Sequence, residues 1–451
     1  MSTKTIPGPR GLPITGHLLA FRKDPLHYLE QSFREYGQLV HLRFGPSRHL
    51  YLLTEPELIK EVLLTKQQHF RKAKGLQTAK AVVGEGILTS EKEKHLRQRR
   101  LMQPSFRKDR ISAYGEAMVR HAERMMANWS GGRTRVITDD MMQLTLDIIM
   151  ETMFGSQLEP DVVGEISRAI DVGMKYVSAR ASSFIDLPAS IPTKSNREFQ
   201  EASKLLDGVI YGIIEKRRKQ TEEAATGRKD LLSMLLAARD EDGSSMTDEQ
   251  VRDEVMTIFL AGHETTANTL SWTWYLLSLN PDAERKLHAE LDSVLQGRRP
   301  APEDLDKLEY LQLLLWESMR LYPAVWAINR EVVEEVEIGG HTFRPGDTIM
   351  MSQYVMHRNP NYYDNPEQFR PERFEGDFLK TIPQFAYFPF GGGPRVCIGN
   401  NFALMEAALI IAAVGQRFKL RLADDHPPVE LEPLVTLRPK NGLRMIVEAR
   451  A

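Results

Sequence analysis

Cys397 is the single cysteine of this 451-residue chain, and it stands in the run Phe390-Gly-Gly-Gly-Pro-Arg-Val-Cys-Ile-Gly399. One cysteine excludes an intramolecular disulfide and any zinc or iron–sulfur site built from several thiolates. A metal role for this sulfur is therefore a one-thiolate role, and axial ligation of haem iron is the commonest of these. The neighbouring residues suit that task. Consecutive glycines allow positive φ and close approach of backbone to a flat group. An apolar stretch at 401–418 follows and reads as a helix. A helix N-terminus favours thiolate over thiol through its unpaired N–H groups.

Three further constellations have residue types and spacing that can do chemistry. Ala261-Gly-His-Glu-Thr-Thr266 lies inside a long helical pattern. Glycine costs about 1 kcal/mol there relative to alanine, so Gly262 needs a reason. The paired threonines can bond back to carbonyls one turn earlier. Glu317 and Arg320 are spaced i, i+3 on a helical pattern at 307–321, so their side chains can meet. His95 and Arg99 have i, i+4 spacing within a basic segment at 91–110, which carries eight Lys/Arg against three Asp/Glu.

Taken together these runs resemble the cytochrome P-450 family of haem–thiolate monooxygenases. Phe390, Gly393, Arg395, Cys397 and Gly399 match its cysteine-loop signature, Phe-x-x-Gly-x-Arg-x-Cys-x-Gly. The resemblance implies haem b with Cys397 as the iron ligand and Phe390, Gly391 and Gly399 shaping the loop around it. It implies that Ala261 and Gly262 leave room over the iron. Glu264 and Thr265 would then form an acid–alcohol pair that delivers protons into a dry site. Glu317, Arg320 and Arg373 match the family's structural Glu–Arg–Arg triad, expected to brace the backbone that feeds the cysteine loop. His95, Arg99 and Arg395, with Arg330, are implied as partners of the haem propionates. Substrate contacts are expected at Ile258, Phe259, Ala261, Val325, Trp326, Ile328 and Val435. The loop at 71–90 and the apolar region at 172–191 join them.

These residues need elements to hold them. Thr247 followed by Gln250 reads as a capping box. No proline then interrupts the chain until Pro281. The predicted helix of roughly 33 residues must cross the whole molecule. The runs at 38–44 and 49–53, split by Gly45-Pro46, read as a hairpin. Strand-like runs recur at 336–338 and 347–352 and again between 429 and 448. The expected fold is mainly α with a smaller β portion, the long central helix lying over the haem. One haem domain over 1–451 is expected, with a proline-rich segment at 1–22 and no fused reductase.

Composition narrows the partners. A net charge of −2 gives no global attraction to nucleic acid or anionic membrane. No apolar run near 20 residues opens the chain, so neither a membrane anchor nor a signal peptide is expected, and the protein reads as cytoplasmic. The resemblance implies a monooxygenase that inserts one atom of O2 into a hydrophobic small molecule such as a fatty acid, terpenoid, carotenoid or steroid. Reducing equivalents would come from NAD(P)H through a ferredoxin or flavodoxin with its reductase. Docking would use Lys92, Lys94, Arg97, Arg100, Arg107 and Lys108. A peroxide-driven peroxygenase and a haem-binding gas sensor without turnover are the competing readings.

Overall fold

The computed structural model describes residues 5–156, 160–181, 190–219, 230–239 and 243–450. Its architecture is mainly helical with small sheets, as expected. Three of the expected strands form one sheet with two that were not expected, while the expected run at 336–338 pairs instead with His341–Phe343. The five strands of the sheet are β1 (Leu39–Arg43), β2 (His49–Leu53), β3 (Phe70–Lys72), β4 (Ile328–Val332) and β5 (Thr348–Met351), in the order β1-β2-β5-β4-β3. β1 and β2 form the hairpin across Gly45-Pro46, and β2 pairs with β5 in parallel. The sheet therefore joins chain segments almost 300 residues apart. A two-stranded hairpin near the C-terminus, β6 (Leu431–Pro433) and β7 (Leu437–Pro439), stands apart from it.

Six helices position the site: α1 (Lys92–Met102), α2 (Ile137–Phe154), α3 (Pro160–Ala181), α4 (Asp248–Leu279), α5 (Glu309–Leu321) and α6 (Asn400–Gly415). α4 is the long helix. Thr247 Oγ1 accepts from Gln250 N–H while Gln250 Oε1 accepts from Thr247 N–H, and Asn280-Pro281 ends it. Its 32 residues span about 48 Å. α4 packs against α2, α5, α6 and β7, so it forms the axis of the helical core.

That axis explains Gly262. A Cβ there would lie 2.7 Å from Ile149 Cδ1 of α2, so the glycine lets two helices approach closely. α6 begins one residue earlier than the apolar run and stops at Gly415. Phe418 and the residues after it form a strand, Phe418–Leu422, because the chain there joins a three-stranded sheet with Arg133–Val136 and Arg444–Ala449. α5 likewise starts at Glu309 rather than 307, since Lys307 ends a preceding 3₁₀ turn.

Candidate active site

Between α4 and the loop carrying Cys397 lies a cavity of about 1380 Å³. Its walls come from α1, α2, α4, the β4–β5 region, the cysteine loop and the β6–β7 hairpin. The loop itself is tightly determined. Cys397 N–H donates to Phe390 O at 3.0 Å and Gly391 N–H to Phe388 O at 2.9 Å, which closes the run on itself. Gly391 and Gly393 have φ of 72° and 66°, a region that strains other residues. A Cβ on Gly393 would also sit 2.0 Å from Leu63 O. The Cys397 side chain is exposed and lines the cavity. Burial by the surrounding protein raises its thiol pKa, while the Gly399 N–H and Arg99 pull the other way.

The expected triad assembles behind this loop. Arg320 Nε and Nη2 donate to the two Glu317 oxygens at 2.6 and 2.8 Å, with both residues fully buried. Arg320 also donates to the carbonyls of His357, Pro366 and Gln368. Arg373 lies 3.5 Å from Glu317 and donates to Asp364 O at 2.7 Å. His357 Nε2 in turn accepts the Phe388 N–H at 3.0 Å, two residues before Phe390. The triad thus fixes segment 357–373, and His357 passes that constraint to the start of the cysteine loop.

One edge of the cavity is strongly cationic. His95, Arg99, Arg330 and Arg395 all reach it, from α1, β4 and the cysteine loop. Arg99 Nη1 donates to Val396 O at 2.7 Å, and Arg395 Nη1 to Ser90 O at 3.1 Å. Arg395 also pairs with Glu91. Lys72, at the end of β3, belongs to this edge and was not expected there. Its Nζ donates to Ile87 O and Ser90 O at 3.1 and 2.9 Å. Phe70 and Lys72 share the inward face of β3, so period-two alternation from Phe70 was the signal for it.

The charges on this edge are out of balance. Burial, then the charge of Arg395, pushes Lys72 down to about 6. Burial, followed by the neighbouring cations, takes His95 to about 3. Arg330 is depressed to about 10 for the same reasons, and it has no ion pair among the described residues. One carboxylate, Glu91, faces Lys72, Arg330 and Arg395. Such an edge fits a group bearing two carboxylates. A lone cysteine sulfur at one wall, a close-packed apolar helix opposite and this cationic edge together fit haem. Among the described residues no cluster of three or more His, Cys, Asp or Glu could hold a metal ion otherwise.

A cytochrome P450 family profile matches residues 6–446. The chain belongs to the cytochrome P450 family. It is a haem–thiolate monooxygenase of that family, an enzyme that uses O2 and reducing equivalents. Relatives span nearly its whole length. It is 37% identical to the cyclooctatin synthase of Streptomyces melanosporofaciens, over 98% of this chain and 95% of that one. It is 36% identical to the cyclooctat-9-en-7-ol 5-monooxygenase of the same organism, over 93% and 90%. It is 30% identical to the pentalenene oxygenase of Streptomyces avermitilis, over 98% and 97%.

The remaining expected site residues divide by helical phase. Ile258, Ala261, Gly262 and Thr265 of α4 face the cavity, as do Val325, Trp326, Ile328 and Val435. Phe390, Gly391 and Gly399 line it from the cysteine loop. Phe259 does not. It is fully buried against α2, its ring 6.5 Å from that of Phe154, because one residue along α4 turns by about 100° from Ile258. The expectation that Phe259 touches substrate is therefore corrected.

Glu264 and Thr265 are separated in the same way. Thr265 Oγ1 donates to Ala261 O at 2.7 Å on the cavity side. Glu264 is buried away from the cavity, and its Oε1 accepts from Thr436 Oγ1 at 2.6 Å. Burial raises the Glu264 pKa, opposed by the Thr436 hydrogen bond and by Arg438. The two side chains do not meet as a pair in this arrangement. Of the expected substrate regions, the loop at 71–90 contributes Val82, Val83, Ile87 and Leu88, and α3 contributes Met174, Val177 and Ser178. Residues 182–189 lie outside the described residues. No helix among the described residues is long and apolar enough to cross a membrane.

Proposed function

We propose that this P450 hydroxylates a terpenoid-like hydrocarbon or alcohol held over Cys397. The observation that carries this reading is the apolar wall of Ile258, Ala261, Val325, Trp326, Ile328 and Val435, which offers shape and few polar contacts. Three relatives named for terpenoid products or substrates support the class. Fatty acids, carotenoids and steroids share the apolar chemistry and are the alternatives to be separated by experiment.

Cys397 would hold the haem iron, and Lys72, His95, Arg99, Arg330 and Arg395 would hold its propionates. Haem bound in this way supplies O2 activation and transfer of one oxygen atom to the substrate. The protein's own part is to exclude water, orient the substrate and deliver protons. Thr265 Oγ is placed to hold a water molecule at the cavity. Glu264, reoriented by a rotamer change, is the acid that resupplies its proton. Glu317, Arg320 and Arg373 have no cavity contact and serve as the brace described above.

Electrons would come from NAD(P)H through a ferredoxin or flavodoxin and its reductase, in the cytoplasm. The exposed face of α1 supports such docking. Lys92 and Arg100 flank Leu96, which is 58% exposed, one turn away on either side, and Lys94, Arg107 and Lys108 are exposed as well. Arg99 of the same helix bonds to Val396 O, so this face adjoins Cys397.

Carbon-monoxide difference spectroscopy of the reduced protein, followed by spin-shift titrations with cyclic terpenoids, fatty acids and steroids, tests the reading. A red-shifted thiolate band and a terpenoid-selective spin shift are expected. Absence of the band overturns the ligation, and selectivity for fatty acids or steroids overturns the substrate class. Thr265→Ala should release peroxide at the expense of product. Unchanged coupling would favour a peroxide-driven enzyme.

A further inference from the structure

Glu264 reaches no solvent and no cavity surface, yet its carboxyl is not isolated. Its Oε1 accepts from Thr436 Oγ1 at 2.6 Å, and Thr436 Oγ1 accepts from Asn268 Nδ2 at 3.2 Å, one turn along α4. Its Oε2 is buried without a hydrogen-bond partner among the described residues. Thr436 lies at the turn between β6 and β7, beside Leu434 and Val435, and all three residues line the cavity. The turn is pinned from several sides. Trp272 Nε1 donates to Leu437 O at 3.0 Å, Trp326 Nε1 to Leu434 O at 2.8 Å, and Leu437 N–H to Ala324 O at 2.9 Å.

Arg438 completes the arrangement. It bridges Glu432 across the hairpin at 2.6 Å and Asp171 of α3 at 2.9 Å. Asp171 also holds Lys175 at 2.8 Å, on the exposed side of α3. A polar track thus runs from the surface of α3 through Arg438 toward Glu264. The hairpin that supplies two of its members is also a wall of the substrate cavity.

We propose that Thr436 and Arg438 are positioning residues for Glu264, through which the β6–β7 hairpin holds the acid away from the cavity and stabilises its carboxylate. This rests on the reading of Glu264 as the proton-supplying acid. Release of the Thr436 hydrogen bond would then free Glu264 to turn toward Thr265. The charged groups facing Glu264 are Arg438 from β7 and Asp171 from α3, of opposite sign. Thr436 supplies the hydroxyl between them and the cavity.

Infrared difference titration of the holoenzyme against pH tests this, with the Glu264 carbonyl band assigned by its loss in Glu264→Gln. Thr436→Val removes the donor at constant shape. It should raise the midpoint of the Glu264 band by about one pH unit or more, a tenfold or greater fall in acid dissociation. Thr436→Ser should restore the wild-type midpoint. Arg438→Gln should raise the midpoint also, because Glu264 loses the cation that faces it and Asp171 and Glu432 lose their shared partner. In Thr436→Val the product formed per reducing equivalent should fall, with the carbon-monoxide band unchanged. An unmoved midpoint in Thr436→Val, or a rise that serine does not reverse, overturns the proposal. Should Thr436→Val not fold, an unmoved midpoint in Arg438→Gln overturns it. The infrared titration reads Glu264 directly. A missing thiolate band in the wild-type protein would therefore refute the ligation without deciding this point.

Discussion

Arg320→Met removes the guanidinium from the buried triad while leaving a side chain of similar length. Arg320 is fully buried and donates five hydrogen bonds at 2.6–3.2 Å, two to Glu317 and three to backbone carbonyls. Without it, Glu317 keeps the Arg370 N–H at 2.9 Å and Arg373 at 3.5 Å, but loses the bidentate guanidinium that meets both of its oxygens. Breaking a buried ion pair from one side costs about 3–5 kcal/mol. The carbonyls of His357, Pro366 and Gln368 add to that, since an unpaired buried acceptor costs about 1 kcal/mol or more. A loss of at least about 4 kcal/mol is expected, a large share of the roughly 5–15 kcal/mol of a typical domain. Urea unfolding followed by tryptophan fluorescence measures it, and Trp316 adjoins Glu317 as a reporter. Glu317→Gln/Arg320→Met should lose about 2 kcal/mol less than the sum of the single variants, because the poorly paired charge is gone. Arg320→Lys should fall between wild type and methionine, since an ammonium cannot match the planar fork. Haem content at equal protein should drop in the same order, through His357 and Phe388. A loss below about 1 kcal/mol for Arg320→Met, or strict additivity in the double variant, would refute the brace.

Gly393→Ala should abolish stable haem incorporation, since the new Cβ meets Leu63 O at 2.0 Å and φ is +66°. The carbon-monoxide spectrum checks it. Glu254→Gln tests a buried acid on α4 that accepts Ile87 N–H at 2.9 Å and is raised to about 7 by burial. The folded state there binds its proton more tightly than the unfolded chain, so this group's stabilisation is full below about 4.5 and is lost as pH rises toward 7. The wild type should lose about 3 kcal/mol across that window, and the variant's unfolding free energy should be flatter in pH. Lys72→Met should weaken haem retention several-fold in a haem-transfer assay to an acceptor globin, with the apoprotein's stability unchanged or raised. Charge reversal at Arg97 and Arg100 should slow partner-dependent reduction several-fold, and strongly so at low salt, as read by stopped-flow. Unchanged rates would remove α1 as the docking face.

Much of the site was legible because its motifs are local. The cysteine loop needs glycine where φ is positive and where Leu63 and Phe385 crowd the backbone, so its residues announce themselves in ten positions. The Thr247 capping box and Pro281 bounded α4 to within a residue. What was missed follows from geometry the linear motif hides. Adjacent helix residues point about 100° apart, which here puts Phe259 and Glu264 outside the cavity while Ile258 and Thr265 line it. Lys72 was missed for a different reason. Its partners, Ile87 O and Ser90 O, are carbonyls of a loop that only the fold brings beside β3. Thr436 is an ordinary threonine in sequence. Its meaning depends on a hairpin packing against α4 from 172 residues away.

The cationic edge shows why overall charge was uninformative about this enzyme. The chain as a whole is nearly neutral at −2, but Lys72, Arg330 and Arg395 face a single carboxylate, Glu91, inside the protein. Like charges gathered where water is excluded raise the free energy of the haem-free fold. The pKa values of Lys72 and His95 are depressed first by burial and then by this repulsion. A dianionic group entering this edge relieves the repulsion, so its binding and the stability of the fold are linked by mass action. The destabilisation of the empty site is then the source of selectivity. An apolar ligand of equal size gains nothing from these cations, whereas one carrying two carboxylates at one edge is drawn in by all of them. Orientation follows from the same imbalance, because Cys397 and the cations occupy different walls. Haem anchored by its carboxylates at this edge would extend toward the wall that carries Cys397.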